Sequence, residues 1–143
     1  MIALAESARA EMEAHGREAY PEECCGALLG TIERETSRVT RVERLPNSQM
    51  ENRARRFSIA PQEYRRVEKI ADSEGLRLVG FYHSHPDHPA LPSEHDREQA
   101  LPFFHYIVLA VSSGRPGDLT SWVLSEDRGA FTREEIITHG PGE

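Results

Sequence analysis

Apolar residues recur at helical spacing near the start of the chain and again after a proline in its middle. From Leu4 to Tyr20 most residues are good helix formers, and Pro21 closes the segment. Ala60-Pro61 opens a second such segment, in which Pro61 suits the first position of a helix. The pattern predicts one helix from Leu4 to Tyr20 and another that begins at Pro61 and ends near Gly75.

Short apolar or β-branched runs before and after the second helix indicate strands. Five runs have this character: Cys25–Ile32, Ser37–Leu45, Leu76–Tyr82, Tyr106–Val111 and Leu119–Leu124. A short helix is expected from about Ser93 to Leu101, and the segment Ala130–Thr138 fits either a strand or a helix. Because helices and strands are interleaved, we expect a single α/β layered domain over residues 1–143, with a mixed β-sheet flanked by helices.

Composition and charge narrow the class of function. Of the 143 residues, 38% are hydrophobic and 29% are charged, which is typical of a globular domain. The formal net charge of −7 opposes contact with a phosphate backbone, so no nucleic-acid partner is expected. A local cluster of Arg53, Arg55 and Arg56 is an exception, and it indicates either a solvated loop or a docking patch for an acidic partner.

The cysteines and the first residues of the chain indicate its cellular location. Cys24 and Cys25 are adjacent, so an unstrained disulfide between them is not expected. The first residues lack the basic start of a signal peptide, and no apolar run is long enough to span a bilayer. The sequence therefore predicts a cytoplasmic protein with no membrane partner, and it leaves the oligomeric state undetermined.

Two histidines follow the third predicted strand. His83 and His85 alternate with one residue between them, so in an extended chain both imidazoles project to the same side. Pro86 biases His85 towards an extended conformation. Ser93 and Asp96 have the spacing of a helix N-cap with a capping box, and the short proline-rich loop can fold this helix start back onto the histidines. Two imidazoles and one carboxylate leave a fourth position for water, as in catalytic zinc sites.

Such a site also needs a carboxylate that is not a ligand, to take the proton of the water and pass one to the leaving amine. Glu22 and Glu23 are the candidates, because they precede the first predicted strand and could face the strand that carries His83. Spacing alone does not distinguish them, and both would also suit a pair of solvated glutamates after a helix.

The order and spacing of these residues resemble the JAMM motif of the MPN-type zinc metalloproteases, in their small bacterial form. The motif is His83-x-His85, seven intervening residues, Ser93, two more, and Asp96, while Glu23-Cys-Cys-Gly26 resembles the upstream Glu-x-Cys-Gly element. The resemblance covers most of the chain, since it extends to three further places: Asn47, Arg56-Phe57 and the lead-in Gly80–Pro86.

The resemblance implies a cytidine-deaminase-like α/β fold and one Zn²⁺ ion per chain, with His83, His85 and Asp96 as ligands. It further implies that Glu23 is the general base and acid and that Ser93 stabilises the oxyanion. The implied reaction is hydrolysis of a peptide or isopeptide bond near the C-terminus of a ubiquitin-like or sulfur-carrier protein, and in one variant this hydrolysis releases cysteine. Iron and manganese are alternatives to zinc, because this donor set accepts other divalent ions.

Two other functions are weighed against this one. A non-catalytic MPN scaffold would use the same fold to bind protein partners, but scaffolds of this kind typically lack the ligands. A relative of the JAMM proteins associated with DNA repair is disfavoured by the acidic charge.

Several nearby residues receive no chemical role. His95 is next to Asp96 on the predicted helix, where adjacent side chains diverge by about 100°, so the two would not converge on one ion. His88 is expected at the surface of the loop. Cys25 could suggest a cysteine hydrolase, but a small buried cysteine at the start of a strand is the common case. Three more histidines have no partner at a suitable spacing: His15, His105 and His139.

Overall fold

The computed structural model describes residues 1–49, 53 and 58–140, and in this part of the chain eight strands are interleaved with three helices. In chain order the elements are β1 (Ile2–Ala5), α1 (Glu6–Ala19), β2 (Cys25–Glu33), β3 (Thr36–Leu45), α2 (Pro61–Ser73), β4 (Arg77–Pro86), α3 (Glu94–Gln99), β5 (His105–Ser112), β6 (Arg115–Leu124), β7 (Phe131–Glu134) and β8 (Ile136–His139).

The strands form one mixed sheet in the order β7-β6-β5-β4-β2-β3-β1-β8. β1 is parallel to both β3 and β8, and β4 is parallel to β5, whereas the other neighbours are antiparallel. β7 and β8 lie at opposite ends of this order although only Glu135 separates them in the chain, so the sheet curls until its ends meet. The predicted α/β class with a mixed sheet is confirmed.

The two longer helices pack on opposite faces of the sheet. Met12 of α1 lies in one buried cluster with Tyr82, and Val67 of α2 lies in another with Phe81. Neighbouring residues of a strand point to opposite faces, which is why Phe81 and Tyr82 enter different clusters. The central strand β4 is thus buried on both sides, and its last residues lead directly to the candidate site.

The prediction of a helix from Leu4 is wrong at its start. Residues 2–5 form β1, where Leu4 is fully buried and pairs with Val39 of β3 and Thr138 of β8. The helix α1 begins at Glu6 and stops before Pro21, as expected at that end. Four residues are too few to show a period, and the strand exists because distant segments pair with it on both sides.

The hairpin between β5 and β6 is tighter than the sequence suggested. The prediction started the second strand at Leu119, whereas β6 begins at Arg115. Ser113 and Gly114 connect the strands, with φ values of +51° and +79°. Positive φ at both positions is the geometry of a two-residue hairpin loop whose twist matches that of its strands. The ambiguous segment Ala130–Thr138 contains β7 and most of β8.

Much of the predicted loop after β3 lies outside the described residues, including Arg55 and the Arg56-Phe57 pair. Arg53 is described and is exposed, so the docking-patch interpretation stays a prediction. Within the described ranges, no helix has both the length and the apolar character needed to cross a bilayer. The cytoplasmic location stays a prediction as well.

Candidate metal centre

The start of β2 and the end of β4 lie side by side at one edge of the sheet. The backbone N–H of Cys24 donates to Ser84 Oγ over 2.9 Å, and the backbone N–H of Ser84 donates to the carbonyl oxygen of Cys24 over 3.1 Å. These two bonds fix the register of the strands, and one residue further along each strand Glu23 comes level with His85. Residues more than 60 positions apart are thereby brought together.

Asp96 reaches the same edge from the first turn of α3. Ser93 is the N-cap of this helix, and its Oγ accepts a hydrogen bond from the backbone N–H of Asp96 over 3.1 Å. In return, the backbone N–H of Ser93 donates to Asp96 Oδ2 over 2.8 Å. The predicted capping box is confirmed, and it orients the carboxylate of Asp96.

Three potential ligand atoms form a nearly equilateral triangle. His83 Nε2 lies 3.2 Å from His85 Nε2 and 3.0 Å from Asp96 Oδ2, and His85 Nε2 lies 3.1 Å from Asp96 Oδ2. Atoms held at about 2.0–2.1 Å from one zinc ion in a tetrahedral shell lie about 3.3 Å apart, so the triangle has the size of one face of such a shell. The donor set therefore fits a metal ion.

Glu23 completes the cluster. One ligand atom from each of Glu23, His83, His85 and Asp96 lies within 4.8 Å of the other three, and all four side chains are buried. Glu23 Oε1 has no hydrogen-bond partner among the described residues although it is buried. A buried carboxylate oxygen without a partner beside two imidazoles is suited to contact a water molecule. The four residues could hold a metal ion and its water between them.

A backbone contact sets the orientation of one imidazole. His85 Nδ1 lies 3.0 Å from the carbonyl oxygen of Pro89, which can only accept. Nδ1 therefore donates to this carbonyl, which leaves Nε2 as the nitrogen of His85 that a metal ion would contact. The short loop after β4 thus orients the imidazole of His85 through Pro89 and also returns the chain to the cluster at α3.

Burial and mutual charge shift the four protonation equilibria in different directions. Burial raises the pKa of Glu23 to about 8, with His85 acting against this shift and Asp96 adding to it. Burial also lowers the pKa of His83. For Asp96, burial alone would raise the pKa, but His83 and the hydrogen bonds outweigh it and hold the pKa well below the ordinary value. For His85, burial opposes the charge, yet the hydrogen bond with Asp96 raises its pKa. Asp96 is thus the permanent anion of the cluster.

Clefts open on two sides of the cluster. Glu23, His85 and Ser93 line one cleft together with His88 and Leu91. The other cleft reaches His83 and Asp96 between aromatic walls formed by Tyr64, Tyr106 and Phe131.

The residues set aside on sequence grounds lie outside the cluster. His88 is exposed at the rim of the cleft beside Glu23, as expected, and His95 is not among the clustered ligands. Both cysteines are buried free thiols. Burial raises the pKa of Cys24 to about 11 and that of Cys25 still further, which disfavours the thiolate that a cysteine hydrolase needs.

Sequence reasoning gave Ser84 and Arg53 no place in this region and cited Asn47 only as part of the resemblance. Ser84 lies between the two histidines and points to the other side of the strand, so alternation alone could have assigned it to the neighbouring strand. The backbone N–H of Glu23 donates to the carbonyl oxygen of Arg53, and its carbonyl oxygen accepts from Asn47 Nδ2. Both contacts depend on how the chain returns after β3, which no local pattern shows.

The model of a protein family described as prokaryotic homologs of the JAB domain matches residues 5–125. The chain belongs to this JAB family. A desampylase from Haloferax volcanii is 35% identical to this JAB domain over 112 residues, which are 75% of this chain and 78% of the relative. A probable TtuB-protein conjugate cleaving protease from Thermus thermophilus is 32% identical over 105 residues, 73% of this chain and 67% of the relative.

Solved structures agree with the fold of this JAB domain. The solution structure of a protein from Desulfitobacterium hafniense matches with a TM-score of 0.87 and 32% identity, covering 98% of this chain and 94% of that chain. The crystal structure of a JAB1/MPN domain protein from Archaeoglobus fulgidus matches with a TM-score of 0.60 over 97% of both chains. At 14% identity, the latter supports the fold alone. The membership that the JAMM-like motif predicted is confirmed.

Proposed function

We propose that this JAB domain is a zinc metallopeptidase that hydrolyses an amide bond near the C-terminus of a ubiquitin-like or sulfur-carrier protein. The observation that carries the proposal is the buried triangle of His83 Nε2, His85 Nε2 and Asp96 Oδ2, with Glu23 beside it. Relatives named desampylase and TtuB-protein conjugate cleaving protease support this class of substrate.

Each residue of the site has a distinct task in the proposed reaction. His83, His85 and Asp96 would hold one zinc ion per chain, which would supply a Lewis acid and lower the pKa of a bound water to about 7. Glu23 would accept a proton from the attacking water on its unpartnered Oε1 and pass it to the leaving amine. Ser93 donates its hydroxyl hydrogen to the oxygen of the scissile carbonyl as that oxygen gains negative charge.

The position of Glu23 supports its choice over Glu22 as the base. Glu23 is only 4% exposed and belongs to the cluster, whereas Glu22 is half-buried and its backbone N–H continues the turn after α1 by donating to Ala19. Neighbouring side chains of an extended segment point apart, so only one of the two can face the histidines.

A non-catalytic scaffold is the alternative, and burial weighs against it. A scaffold has no use for a buried carboxylate and two buried imidazoles, whose removal from water costs free energy. The release of cysteine from a carrier protein is one form of the proposed reaction. We propose no nucleic-acid or membrane partner, a cytoplasmic location and a single domain over residues 1–143.

The decisive experiment offers the protein a ubiquitin-like carrier with a C-terminal extension after its Gly-Gly, and mass spectrometry reads the products with and without chelator. We expect cleavage after Gly-Gly that chelation abolishes and added zinc restores. Cleavage that is indifferent to chelation would contradict the metal mechanism, and no cleavage by zinc-loaded protein would favour the scaffold.

Three variants separate the proposed roles. His85→Ala should lose the one zinc per chain that the native protein is expected to bind. Glu23→Gln should keep zinc and lose about 10²–10⁴-fold in turnover, because proton transfer by a positioned side chain accelerates a reaction by about that factor. Glu22→Gln is the matched control and should turn over like the native protein. If Glu22→Gln is the inactive variant, the assignment of the base is wrong.

A further inference from the structure

The backbone of Glu23 is held by hydrogen bonds on both sides of the residue. Its N–H donates to the carbonyl oxygen of Arg53 over 2.7 Å, and its carbonyl oxygen accepts from Asn47 Nδ2 over 3.3 Å. Glu23 lies just outside β2, whose ladder with β4 begins at Cys25, so the sheet does not supply these bonds. Both partners come from the chain that follows β3.

The amide of Asn47 also organises that part of the chain. Asn47 Oδ1 accepts from the backbone N–H groups of Gln49 and Ser58, each over 3.0 Å. A second hydrogen bond joins the same two segments, because the backbone N–H of Ser48 donates to the carbonyl oxygen of Ser58 over 2.8 Å. One side chain therefore ties Glu23 to Gln49 and to Ser58, which lie nine positions apart in the chain.

The chemistry of this position requires an amide. Asn carries donors on its nitrogen and two acceptor lone pairs on its oxygen, so one side chain can bind a carbonyl oxygen and two N–H groups at once. Aspartate retains the acceptors but has no donor when ionised, and alanine has neither. Substitution can thus separate the bond that the Asn47 amide donates to Glu23 from the two that it accepts from Gln49 and Ser58.

We propose that Asn47 is a positioning residue that fixes the backbone of Glu23, and with it the direction of the carboxylate towards His85. The inference rests on the proposed function, since only in that function does the direction of Glu23 affect a rate. Asn47 is not part of the metal-ligand cluster. A misplacement of about 1 Å in a catalytic group can cost about 10²-fold in rate, so a lost backbone bond at Glu23 is large enough to measure.

The test compares Asn47→Asp with Ser58→Ala, using zinc content, kcat and KM. Asn47→Asp should keep zinc and the two hydrogen bonds that Gln49 and Ser58 donate to the side chain at position 47. Its KM should stay within about twofold of the native value, and its kcat should be lower by about 10–100-fold because the bond to Glu23 is lost. Ser58→Ala removes the hydrogen bond from Ser58 Oγ to Gln49 Oε1 but keeps the bond from Asn47 to the carbonyl oxygen of Glu23, so its kcat should be native. If Asn47→Ala also folds, it should lower kcat and raise KM.

A native kcat in Asn47→Asp, or an equal loss of kcat in Ser58→Ala, would overturn the inference. A second readout does not depend on turnover: the amide nitrogen of Cys24 shares a peptide group with the carbonyl of Glu23. Its NMR shift should move in Asn47→Asp and stay in place in Ser58→Ala. An unmoved shift would overturn the contact itself, whereas a moved shift in a protein without chelator-sensitive activity would sustain the contact and reject only the proposed function.

Discussion

The hydroxyl group of Ser93 caps a helix and, in the proposed reaction, also donates to the substrate. Its oxygen caps α3 by accepting from the N–H of Asp96 over 3.1 Å. A hydroxyl that accepts in this way keeps its own hydrogen for donation. Ser93 also lines the cleft that contains Glu23 and His85, where the proposed reaction requires a donor to the scissile carbonyl.

Two substitutions of Ser93 should therefore separate its roles. Ser93→Ala should lower kcat by about 10²–10³-fold through the lost donor, and the free energy of unfolding by about 1 kcal/mol through the lost cap. Ser93→Gly should lower kcat equally but stability by only a few tenths, about 0.3 kcal/mol, since glycine is a tolerated N-cap. Steady-state kinetics and urea denaturation check both values. Native kcat in both variants would remove Ser93 from the reaction.

His15 has a partner that sequence spacing did not reveal. Its Nδ1 lies 2.8 Å from the hydroxyl oxygen of Tyr82, which is fully buried. Burial raises the pKa of Tyr82, so the phenol keeps its proton and can serve as the hydrogen-bond donor to a neutral His15. Burial lowers the pKa of His15 to about 4, with the nearby Arg44 acting in the same direction.

The lowered pKa of His15 predicts a loss of stability in mild acid. Between pH 6.5 and about 4 the unfolded chain binds a proton at this residue and the folded protein does not, so the free energy of unfolding falls as pH drops through that window. His15→Gln should flatten this limb of a plot of unfolding free energy against pH. His88→Gln, at an exposed position, is the control and should keep the native slope. An unchanged slope in His15→Gln would contradict the assignment.

At the scale of elements, the packing of β4 against β5 leaves no room for a side chain at one position. Gly80 pairs with His105, and a Cβ atom built on Gly80 would lie 2.0 Å from the backbone carbonyl oxygen of His105. Backbone cannot move aside as a flexible side chain can. Gly117 in β6 is a contrasting case, because the nearest atom to its Cβ position is 3.8 Å away.

Gly80→Ala should accordingly destabilise the protein by about 3 kcal/mol or more, at the upper end of what overpacking costs. Gly117→Ala should change the free energy of unfolding by no more than about 0.5 kcal/mol. Because β4 carries both histidines, Gly80→Ala should also reduce zinc content. Guanidinium denaturation gives the first result and metal analysis the second, and equal stability of the two variants would show that the strands separate easily.

At the scale of the whole molecule, a polar network joins strands that are not neighbours in the curled sheet. His105 Nδ1 lies 2.5 Å from Glu134 Oε2, and His105 Nε2 lies 2.7 Å from Ser37 Oγ. Ser121 also donates to Glu134 Oε2, over 2.8 Å. The carboxylate can only accept, so Nδ1 donates to it.

Breaking this network should weaken the closure of the sheet. Glu134→Gln should lower the free energy of unfolding by about 2 kcal/mol, the value of hydrogen bonds to a charged group. Glu135→Gln changes the same charge at an exposed neighbouring position and should have an effect below about 0.5 kcal/mol. Thermal and urea denaturation of both variants test the difference, and equal losses would mean that net charge, not the network, is responsible.

The sequence by itself determined the features that depend on residues close together in the chain. The alternation of His83 and His85, the capping box of Ser93 and Asp96 and the stop of α1 before Pro21 are all set within a few residues, and each appears as predicted. The strands β2, β4 and β5 could be recognised for the same reason, since their apolar runs are bounded by local turn signals, and β3 could be recognised by its β-branched residues.

Only the tertiary structure decided what depends on distant partners. Leu4 is in a strand because β3 and β8 pair with it, and Glu23 reaches the cluster because β2 is in register with β4. Asn47 contacts Glu23 only through the return of the chain after β3. A local pattern cannot encode these outcomes, because the free energy that selects them comes from contacts formed only when the sheet has closed.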